Sequence, residues 1–563
     1  MARDVFVKGL GRVSGVALAA LLAGAAVAGE MNPIPSDPVT IDAGRVSGTL
    51  LDGGLKGYFG VPFAAPPVRE NRWRAPQPVK PWRGIYNADT KRAECVQGLR
   101  SSNINHYFGE EVAAEDCLYL NLWTPASAKA GDKLPVVVWI YGGGFQGGSA
   151  SNPVYSGEPL ARKGVIYVAA NYRLGVFGFL AHPELTAEGG HNASGNWGFL
   201  DQVAALQWVR RNIAAFGGDP DNITLAGQSA GSMSINNLQA SPLAKGLFAR
   251  VLGMSGASVR GGPADIVSPL KDAEAQGLKL QAAMKAETVA QMRTFSSDKV
   301  VALVQQASVR AGPDIDGYYL PETPQAIFEA GRQNDVPVLA GSTANDLGTN
   351  PPIRAAKDLD QYKAAAAQMY GDKAEAFLKL WPAANDATAA RQADEVGRSG
   401  GFSLAVRNWV KLQAQTGKQP SYLFMVSRVQ PFTPGVTFAD FDPKTAGAYH
   451  MSDVPYFLGT YEAFNLFRTT RDWTPLDREL SEKMQDVIVA YARTGDPNTA
   501  QVKVARYDPK NEQRTEFGDA VTIQKLNTKG LDFMMETPVV TPQRMGPPPA
   551  TGATPRLPAS PAF

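Results

Sequence analysis

The sequence predicts an α/β fold in which helices cover a large, mainly parallel β-sheet. Runs rich in β-branched residues alternate along the chain with stretches whose apolar residues recur at helical spacing. Neither an internal repeat nor a linker composition interrupts this alternation between Met31 and about Pro542. One large domain at residues 29–542 is therefore the simplest organisation.

The middle of the chain shows the alternation most clearly. Residues 134–141 (LPVVVWIY) and 164–171 (GVIYVAAN) are predicted to be buried strands. Residues 199–216 carry apolar side chains at helical spacing and stop at a Gly-Gly pair, a typical helix end. A short strand at 222–226 and a helix at 232–238 are predicted to follow.

The first 28 residues are predicted to be a signal peptide. Arg3, Lys8 and Arg12 are basic, and the apolar stretch 13–28 ends in Ala-Val-Ala, an A-x-A cleavage site. A membrane anchor is the alternative, but a spanning helix needs about 20 apolar residues. We therefore expect a protein without a membrane span that is exported to the periplasm or secreted.

Export affects the interpretation of the two cysteines, Cys95 and Cys117. In an oxidising compartment each has the other as its sole partner. A bridge closing a loop of about 22 residues would contribute roughly 3 kcal/mol to the free energy of unfolding. Two buried free thiols are the alternative.

Composition excludes several classes of function. Lys and Arg number 55 against 53 Asp and Glu, so the chain lacks the basic surplus of a nucleic-acid-binding protein. With 44% hydrophobic residues it is not a disordered chain, although its Pro/Ala-rich end, residues 543–563, is predicted to be a disordered tail. Two cysteines and four histidines make a metal site unexpected.

A candidate nucleophile lies between the strand at 222–226 and the helix at 232–238. Gly227-Gln-Ser229-Ala-Gly231 fits the pattern G-x-S-x-G, which is weak by itself in a chain with 56 glycines. A second match, centred on Ser399, follows a helical stretch and has no strand before it. Only Ser229 has the strand and helix that a sharp, nucleophile-projecting turn requires. A structural turn serine is the alternative.

A serine hydroxyl needs a base, and in this kind of fold the order along the chain is serine, acid, histidine. His450 is the one histidine after Ser229, so it is the predicted base, with a buried structural histidine as the alternative. The best acid is Asp346, which follows a predicted strand at 336–340 and would fix the tautomer of the imidazole. The alternative for Asp346 is an ordinary Asn-Asp turn.

Three consecutive glycines, Gly142 to Gly144, follow the strand at 134–141. Backbone without side chains can turn its N–H groups toward a developing oxyanion. The same segment also fits the dinucleotide pattern G-x-G-x-x-G. That motif must open a helix directly, whereas residues 149–155 read SASNPVY, and the next strand ends in Asn171 rather than in an acidic residue. An oxyanion-binding loop is therefore favoured.

Taken together, these motifs resemble the type-B carboxylesterase and cholinesterase family of α/β-hydrolases. The resemblance extends over most of the chain and keeps the motifs in the family's order. It is carried by residues 58–67, 115–121, 141–145, 171–175, 196–232 and 448–450.

The resemblance implies an α/β-hydrolase fold with a large, mostly parallel central sheet, and no cofactor or metal. It also implies a Cys95–Cys117 disulfide. The family's acid is usually Glu followed by Gly, whereas here Asp346 is followed by Leu347. The implied triad is Ser229, Asp346 and His450, and the implied oxyanion N–H groups are those of Gly143, Gly144 and Ala230.

The expected function is hydrolysis of small-molecule esters through an acyl-enzyme. A lipase-like ester hydrolase is one alternative. Another is a non-catalytic cholinesterase-like adhesion module, but such modules lose the nucleophile, whereas Ser229 and His450 are present here. A dinucleotide oxidoreductase would be revealed by a titration with a nicotinamide cofactor.

Two departures from choline-ester hydrolases predict no preference for choline esters over neutral ones, and tolerance of acyl groups larger than acetyl. Those enzymes resemble this chain but carry Glu before the nucleophile, where a carboxylate favours a cationic alcohol; here the residue is Gln228. Residues 255–264 lack the bulky aromatic that narrows the acyl pocket of choline enzymes. The same segment offers Arg260, which either faces an acidic acyl group or is an ordinary solvated arginine.

Overall fold

A computed structural model of the chain describes residues 32–33, 38–98, 112–259, 267–347 and 351–537. The predicted signal peptide, the predicted C-terminal tail and Arg260 lie outside the described residues.

The strands are short at the N-terminal end and longer in the centre of the domain. They are β1 (Asn32–Pro33), β2 (Val39–Ile41), β3 (Gly44–Ser47), β4 (Thr49–Leu51), β5 (Leu55–Pro62), β6 (Ile85–Asn87), β7 (Glu94–Cys95), β8 (Ala113–Ala114), β9 (Tyr119–Pro125), β10 (Leu134–Ile140), β11 (Ile166–Ala170), β12 (Gly218–Gln228), β13 (Arg250–Met254), β14 (Ser268–Pro269), β15 (Asp314–Ile315), β16 (Val338–Thr343), β17 (Ser421–Val426), β18 (Gln513–Phe517) and β19 (Val521–Lys525).

The helices lie between the strands and in the long insertions that follow β13 and β16. They are α1 (Glu158–Arg162), α2 (Gly175–Phe179), α3 (Pro183–Glu188), α4 (Trp197–Asn212), α5 (Ala230–Ala240), α6 (Leu270–Met284), α7 (Val289–Met292), α8 (Ser297–Gln306), α9 (Pro324–Glu329), α10 (Pro351–Arg354), α11 (Leu359–Tyr370), α12 (Ala374–Leu380), α13 (Asp386–Arg398), α14 (Gly401–Thr416), α15 (Val454–Leu458), α16 (Pro475–Thr494) and α17 (Thr528–Glu536).

Twelve of these strands form one central sheet, in the order β1-β4-β5-β9-β11-β10-β12-β13-β16-β17-β18-β19. From β11 to β18 every neighbouring pair is parallel. The antiparallel pairs lie toward the two edges of the sheet. The predicted large, mostly parallel sheet is therefore confirmed.

Helices pack against the central strands so closely that both faces of the sheet are covered. Every residue of β11 and β16 is buried, as expected for parallel strands between two helical layers. An added Cβ at Gly253 of β13 would lie 2.4 Å from the Trp409 ring of α14 and 2.6 Å from the Ser232 hydroxyl of α5. The Tyr491 hydroxyl of α16 donates to the Val251 carbonyl of the same strand at 3.0 Å.

The elements predicted in the middle of the chain are confirmed, with shifted boundaries. The predicted strands at 134–141 and 164–171 are β10 and β11. The predicted helix at 199–216 is α4, which begins two residues earlier and ends in a 3₁₀ turn before Gly217, a left-handed residue with φ of 92°. The predicted strand at 222–226 lies within the longer β12. β12 begins earlier because Gly218 already pairs with Leu134 of β10.

Cys95 and Cys117 form a disulfide, and both residues are buried. The expected pairing is therefore confirmed. Within the ranges that the structure describes, none of the helices combines the length and the apolar character needed to cross a bilayer.

Candidate active site

The predicted site residues lie at one edge of the sheet, because each follows the carboxyl end of a parallel strand. The glycine loop 142–144 follows β10, and Ser229 follows the neighbouring strand β12. Asp346 follows β16, and His450 lies in the connection that follows β17. Open α/β sheets bind their ligands at this edge.

Ser229 occupies a strained turn between β12 and α5. Its backbone angles are φ 57° and ψ −124°, outside the regions that residues with a Cβ usually adopt. The turn fits because an added Cβ at Gly227 or Gly231 would lie 2.6 Å or 2.0 Å from the carbonyl oxygen of Ile140. The sharp strand-to-helix turn expected at Ser229 is therefore present, and its flanking glycines allow the close approach.

Hydrogen bonds join the three predicted triad residues in a continuous chain. His450 Nε2 lies 2.9 Å from Ser229 Oγ, and His450 Nδ1 lies 2.6 Å from Asp346 Oδ1. All three residues are largely buried, and Ser229 keeps 8% of its surface exposed. The geometry allows Nε2 to take the serine proton while Nδ1 donates its own proton to the carboxylate.

Asp346 is fixed by its own loop as well as by His450. The carboxylate accepts hydrogen bonds from the backbone N–H groups of Leu347, at 2.7 Å, and Thr343, at 3.2 Å. Burial favours the neutral acid, but the charge and hydrogen bond of His450 hold the pKa of Asp346 below its ordinary value. An ionised carboxylate therefore faces the imidazole.

The glycine loop packs directly against the nucleophile turn. An added Cβ at Gly142 would lie 2.5 Å from the carbonyl oxygen of Gln228 and 2.9 Å from the Cβ of Ser229. An added Cβ at Gly144 would meet open space, so this backbone borders the substrate side. Gly143 and Gly144 have φ values of 118° and 63°, and Ala230 begins α5, where backbone N–H groups lack helical acceptors.

Gln228, the residue before the nucleophile, lies against His450. Its side chain is fully buried, and its amide nitrogen lies 3.1 Å from Nε2 of His450. The reason is that Gln228 ends β12 under the glycine loop, where a Cβ at Gly142 would come within 2.9 Å of its side-chain oxygen. The contact with His450 could not be read from the sequence.

Two further residues next to His450 were not predicted. The ring of Phe402, at the start of α14, stacks on the His450 ring at a centroid distance of 5.5 Å. Asp453, three residues after His450, is completely buried. Burial raises the pKa of Asp453 to about 7, and the neighbouring Asp346 adds to the rise. Asp453 belongs to the motif that contains the histidine, whereas Phe402 carries no sequence signal.

Ser399 has the structural setting expected for a serine without a nucleophilic role. It caps the C-terminal end of α13 and is followed by α14, with no strand before it. Its hydroxyl donates to the carbonyl of Glu395 at 2.8 Å. Among the described residues, no group of three or more His, Cys, Asp or Glu side chains is arranged to hold a metal ion.

A strained serine turn after a central parallel strand, with acid and histidine loops at the same sheet edge, defines an α/β-hydrolase. Solved structures of PNB esterase share this architecture; one has 27% sequence identity and a TM-score of 0.71, and the match covers 89% of this chain and 99% of that structure. Residues 35–534 match the model of the carboxylesterase family. The chain belongs to the carboxylesterase family and is a carboxylic ester hydrolase.

Curated relatives with esterase names are similar over long stretches. Human cocaine esterase is 30% identical over 522 residues, which are 86% of this chain and 88% of that protein. Para-nitrobenzyl esterase of Bacillus subtilis (strain 168) is 31% identical over 505 residues, 86% of this chain and 96% of that protein. Fumonisin B1 esterase of Sphingopyxis macrogoltabida is 37% identical over 349 residues; the match spans 61% of this chain and 63% of that relative, less than two thirds of its length.

Proposed function

We propose that the protein hydrolyses neutral, non-choline carboxylic esters through a Ser229–His450–Asp346 triad and an acyl-enzyme. The observation that carries this proposal is the unbroken chain of hydrogen bonds from Ser229 Oγ through both ring nitrogens of His450 to Asp346. A non-catalytic adhesion module would have no use for a strained, glycine-flanked serine in contact with a buried histidine.

Acylation begins when Ser229 Oγ attacks the ester carbonyl carbon and His450 Nε2 takes the hydroxyl proton. The ionised Asp346 accepts the Nδ1 hydrogen bond and stabilises the resulting imidazolium. The carbonyl oxygen becomes an oxyanion, which the N–H groups of Gly143, Gly144 and Ala230 bind; loss of one such donor typically costs about 2.7–4 kcal/mol of transition-state stabilisation. The tetrahedral intermediate then collapses, and His450 returns the proton to the leaving alcohol.

Deacylation repeats these steps with water as the nucleophile. His450 Nε2 removes a proton from the water, which attacks the acyl carbon. The second tetrahedral intermediate releases the carboxylic acid, and His450 returns the proton to Ser229 Oγ. Over the whole cycle water supplies the hydroxyl group of the acid and, by way of Ser229, the hydroxyl hydrogen of the alcohol, so no cofactor enters the balance.

An uncharged substrate, including one with an acyl group larger than acetyl, is favoured by the groups near the triad. The carboxylates of Asp346 and Asp453, which both interact with His450, are buried, and the amide of Gln228 is neutral. The Phe402 ring adds an apolar surface beside His450. Relatives named for cocaine and para-nitrobenzyl esters support a site for substrates with bulky organic groups.

The proposal also places the protein outside the cytoplasm, in the periplasm or secreted. Residues 1–28 have the composition of a cleaved signal peptide. The buried Cys95–Cys117 disulfide supports this, because such bonds form and persist in oxidising compartments.

Steady-state hydrolysis of a graded series of neutral acyl esters tests the proposed function. The wild-type protein is expected to turn over these esters, and Ser229→Ala to lower kcat by roughly 10⁴-fold or more. Ser399→Ala is the matched control and is expected to keep wild-type kinetics, since the Ser399 hydroxyl bonds to the carbonyl of Glu395 and not to His450. Equal activity of Ser229→Ala and wild type would contradict the proposal.

A further inference from the structure

The Asp346–His450 hydrogen bond can form only if the two loops that carry these residues stay at a fixed distance from each other. The acid loop, residues 343–347, follows β16, and the histidine loop, residues 446–452, precedes α15. They are about a hundred residues apart in the sequence, and they are joined by an isolated parallel β-bridge between Asn345 and Tyr449. Their separation is therefore set by contacts between the loops, not by chain connectivity.

Asn345, the residue just before Asp346, makes such contacts. Its backbone N–H donates to the carbonyl of Ala448 at 2.8 Å, and its side-chain Oδ1 accepts from the backbone N–H of Ala448 at 3.1 Å. The reciprocal pair joins the two loops one residue from Asp346 and two residues from His450. A Cβ at Gly447 would lie 2.3 Å from the Asn345 side chain, so the loops are in close contact here.

The distance between the two loops is critical because the side chain of Asp346 is short. An aspartate reaches about 1.5 Å less far than a glutamate, because it lacks one methylene. The Asp346 carboxylate cannot compensate by moving, since the N–H groups of Thr343 and Leu347 hold it within the acid loop. Its 2.6 Å contact with His450 Nδ1 therefore requires the loops to be drawn together.

We propose that Asn345 is a positioning residue, whose side chain holds the histidine loop close enough for the short acid to reach His450. The inference rests on the proposed triad function and extends it to a residue that touches neither the substrate nor the reacting atoms. Asn345 acts through the orientation of His450, so its loss affects the chemical step more than substrate binding.

Kinetics of Asn345→Ala give the first readout. Loss of Oδ1 is expected to lower kcat for a neutral ester about 10- to 100-fold, the effect of a misplacement near 1 Å, with KM changing less than about threefold. Asn345→Asp keeps an acceptor oxygen at the same place and is expected to recover most of that kcat. If Asn345→Ala does not fold, Asn345→Ser, which also loses the reach to Ala448, replaces it.

A double-mutant cycle with Asp346→Glu gives the decisive readout. In the wild-type background, the longer side chain introduced by Asp346→Glu does not fit between the acid loop and His450, and kcat falls. Asn345→Ala keeps the backbone bond to Ala448 but loses the side-chain bond, so the gap can widen and the same change is expected to cost less. The double variant should exceed the product of the two single effects by roughly fivefold or more. A merely structural role predicts a double variant equal to that product.

Asn334→Ala is the matched control, because Asn334 also ties two segments together, through the carbonyls of Leu238 and Ser241, away from the triad. It is expected to lower the midpoint of thermal unfolding without lowering kcat. Multiplicative single effects, or an unchanged kcat in Asn345→Ala, would overturn the positioning role. Failure of the proposed function is distinguished because wild-type turnover and its loss in Ser229→Ala are measured on the same substrate.

Discussion

The amide nitrogen of Gln228 lies 3.1 Å from Nε2 of His450, the ring nitrogen that also faces the hydroxyl of Ser229. The residue that precedes the candidate nucleophile thus contacts the imidazole of His450. A charge introduced at position 228 would act on the imidazole as well as on a cationic alcohol.

The first prediction concerns the charge of the alcohol. A carboxylate about 5 Å from a cationic group at an effective dielectric constant near 20 contributes roughly 3 kcal/mol before desolvation is subtracted. Because Gln228 is neutral, the wild-type protein is expected to show no preference above about tenfold for butyrylcholine over 3,3-dimethylbutyl butyrate, compared as kcat/KM at low salt. Gln228→Glu should raise that ratio. A larger wild-type preference would mean that aromatic faces or a remote carboxylate attract the cation.

The second prediction concerns the acid. Asp346→Asn should keep the fold but place an amide against Nδ1, which no longer selects the reactive tautomer of His450. By analogy with the serine proteases, the expected loss is as much as about 10⁴-fold in kcat. Circular dichroism should show the wild-type spectrum. Activity within about tenfold of wild type would mean that another carboxylate orients His450.

The third prediction concerns the pH dependence of stability. The pKa of Asp453 is about 7 in the folded protein because the side chain is buried near Asp346, whereas an unfolded aspartate titrates near its ordinary value of about 3.9. The folded state therefore binds more protons between about pH 4 and pH 7, and stability falls as the pH rises through this window. The loss is complete above pH 7 and is on the order of 4 kcal/mol.

Asp453→Asn removes this titration. Relative to wild type, the variant should gain free energy of unfolding at pH 8 but little at pH 4, as measured by urea denaturation. Exposed Asp372 supplies the matched control, and Asp372→Asn should leave the difference between the two pH values as it is in wild type. Equal effects of Asp453→Asn at both pH values would contradict the account.

The sequence predicts the central elements and the turn at Ser229 because local signals are strong there. His450 follows instead from the order serine, acid, histidine and from its being the one histidine after Ser229. A buried run of β-branched residues predicts β10, and a serine between glycines after a strand predicts the turn at Ser229. The acid could be placed from the strand before it and from the family resemblance. β10 and the turn at Ser229 depend on residues that are neighbours in the sequence, so the sequence alone indicates them.

The remaining parts of the site depend on contacts between distant segments. Phe402 meets His450 across 48 residues, and the tie between Asn345 and Ala448 spans 103 residues. The contact of Gln228 with His450 depends on packing under the glycine loop, which the position of Gln228 before the nucleophile does not reveal. Such packing becomes visible only when the sheet brings the strand ends together.

The central claim, that Ser229 is the nucleophile activated by His450, is tested most directly by active-site labelling. The full-length protein, treated with a fluorescent organophosphonate, is digested, and the modified peptide is identified by mass spectrometry. We expect about one label per chain on the Ser229 peptide and no label in Ser229→Ala. Labelling should be slow in His450→Ala, because the base that removes the serine proton is lost. A label on the Ser399 peptide, or undiminished labelling of Ser229→Ala, would contradict the central claim.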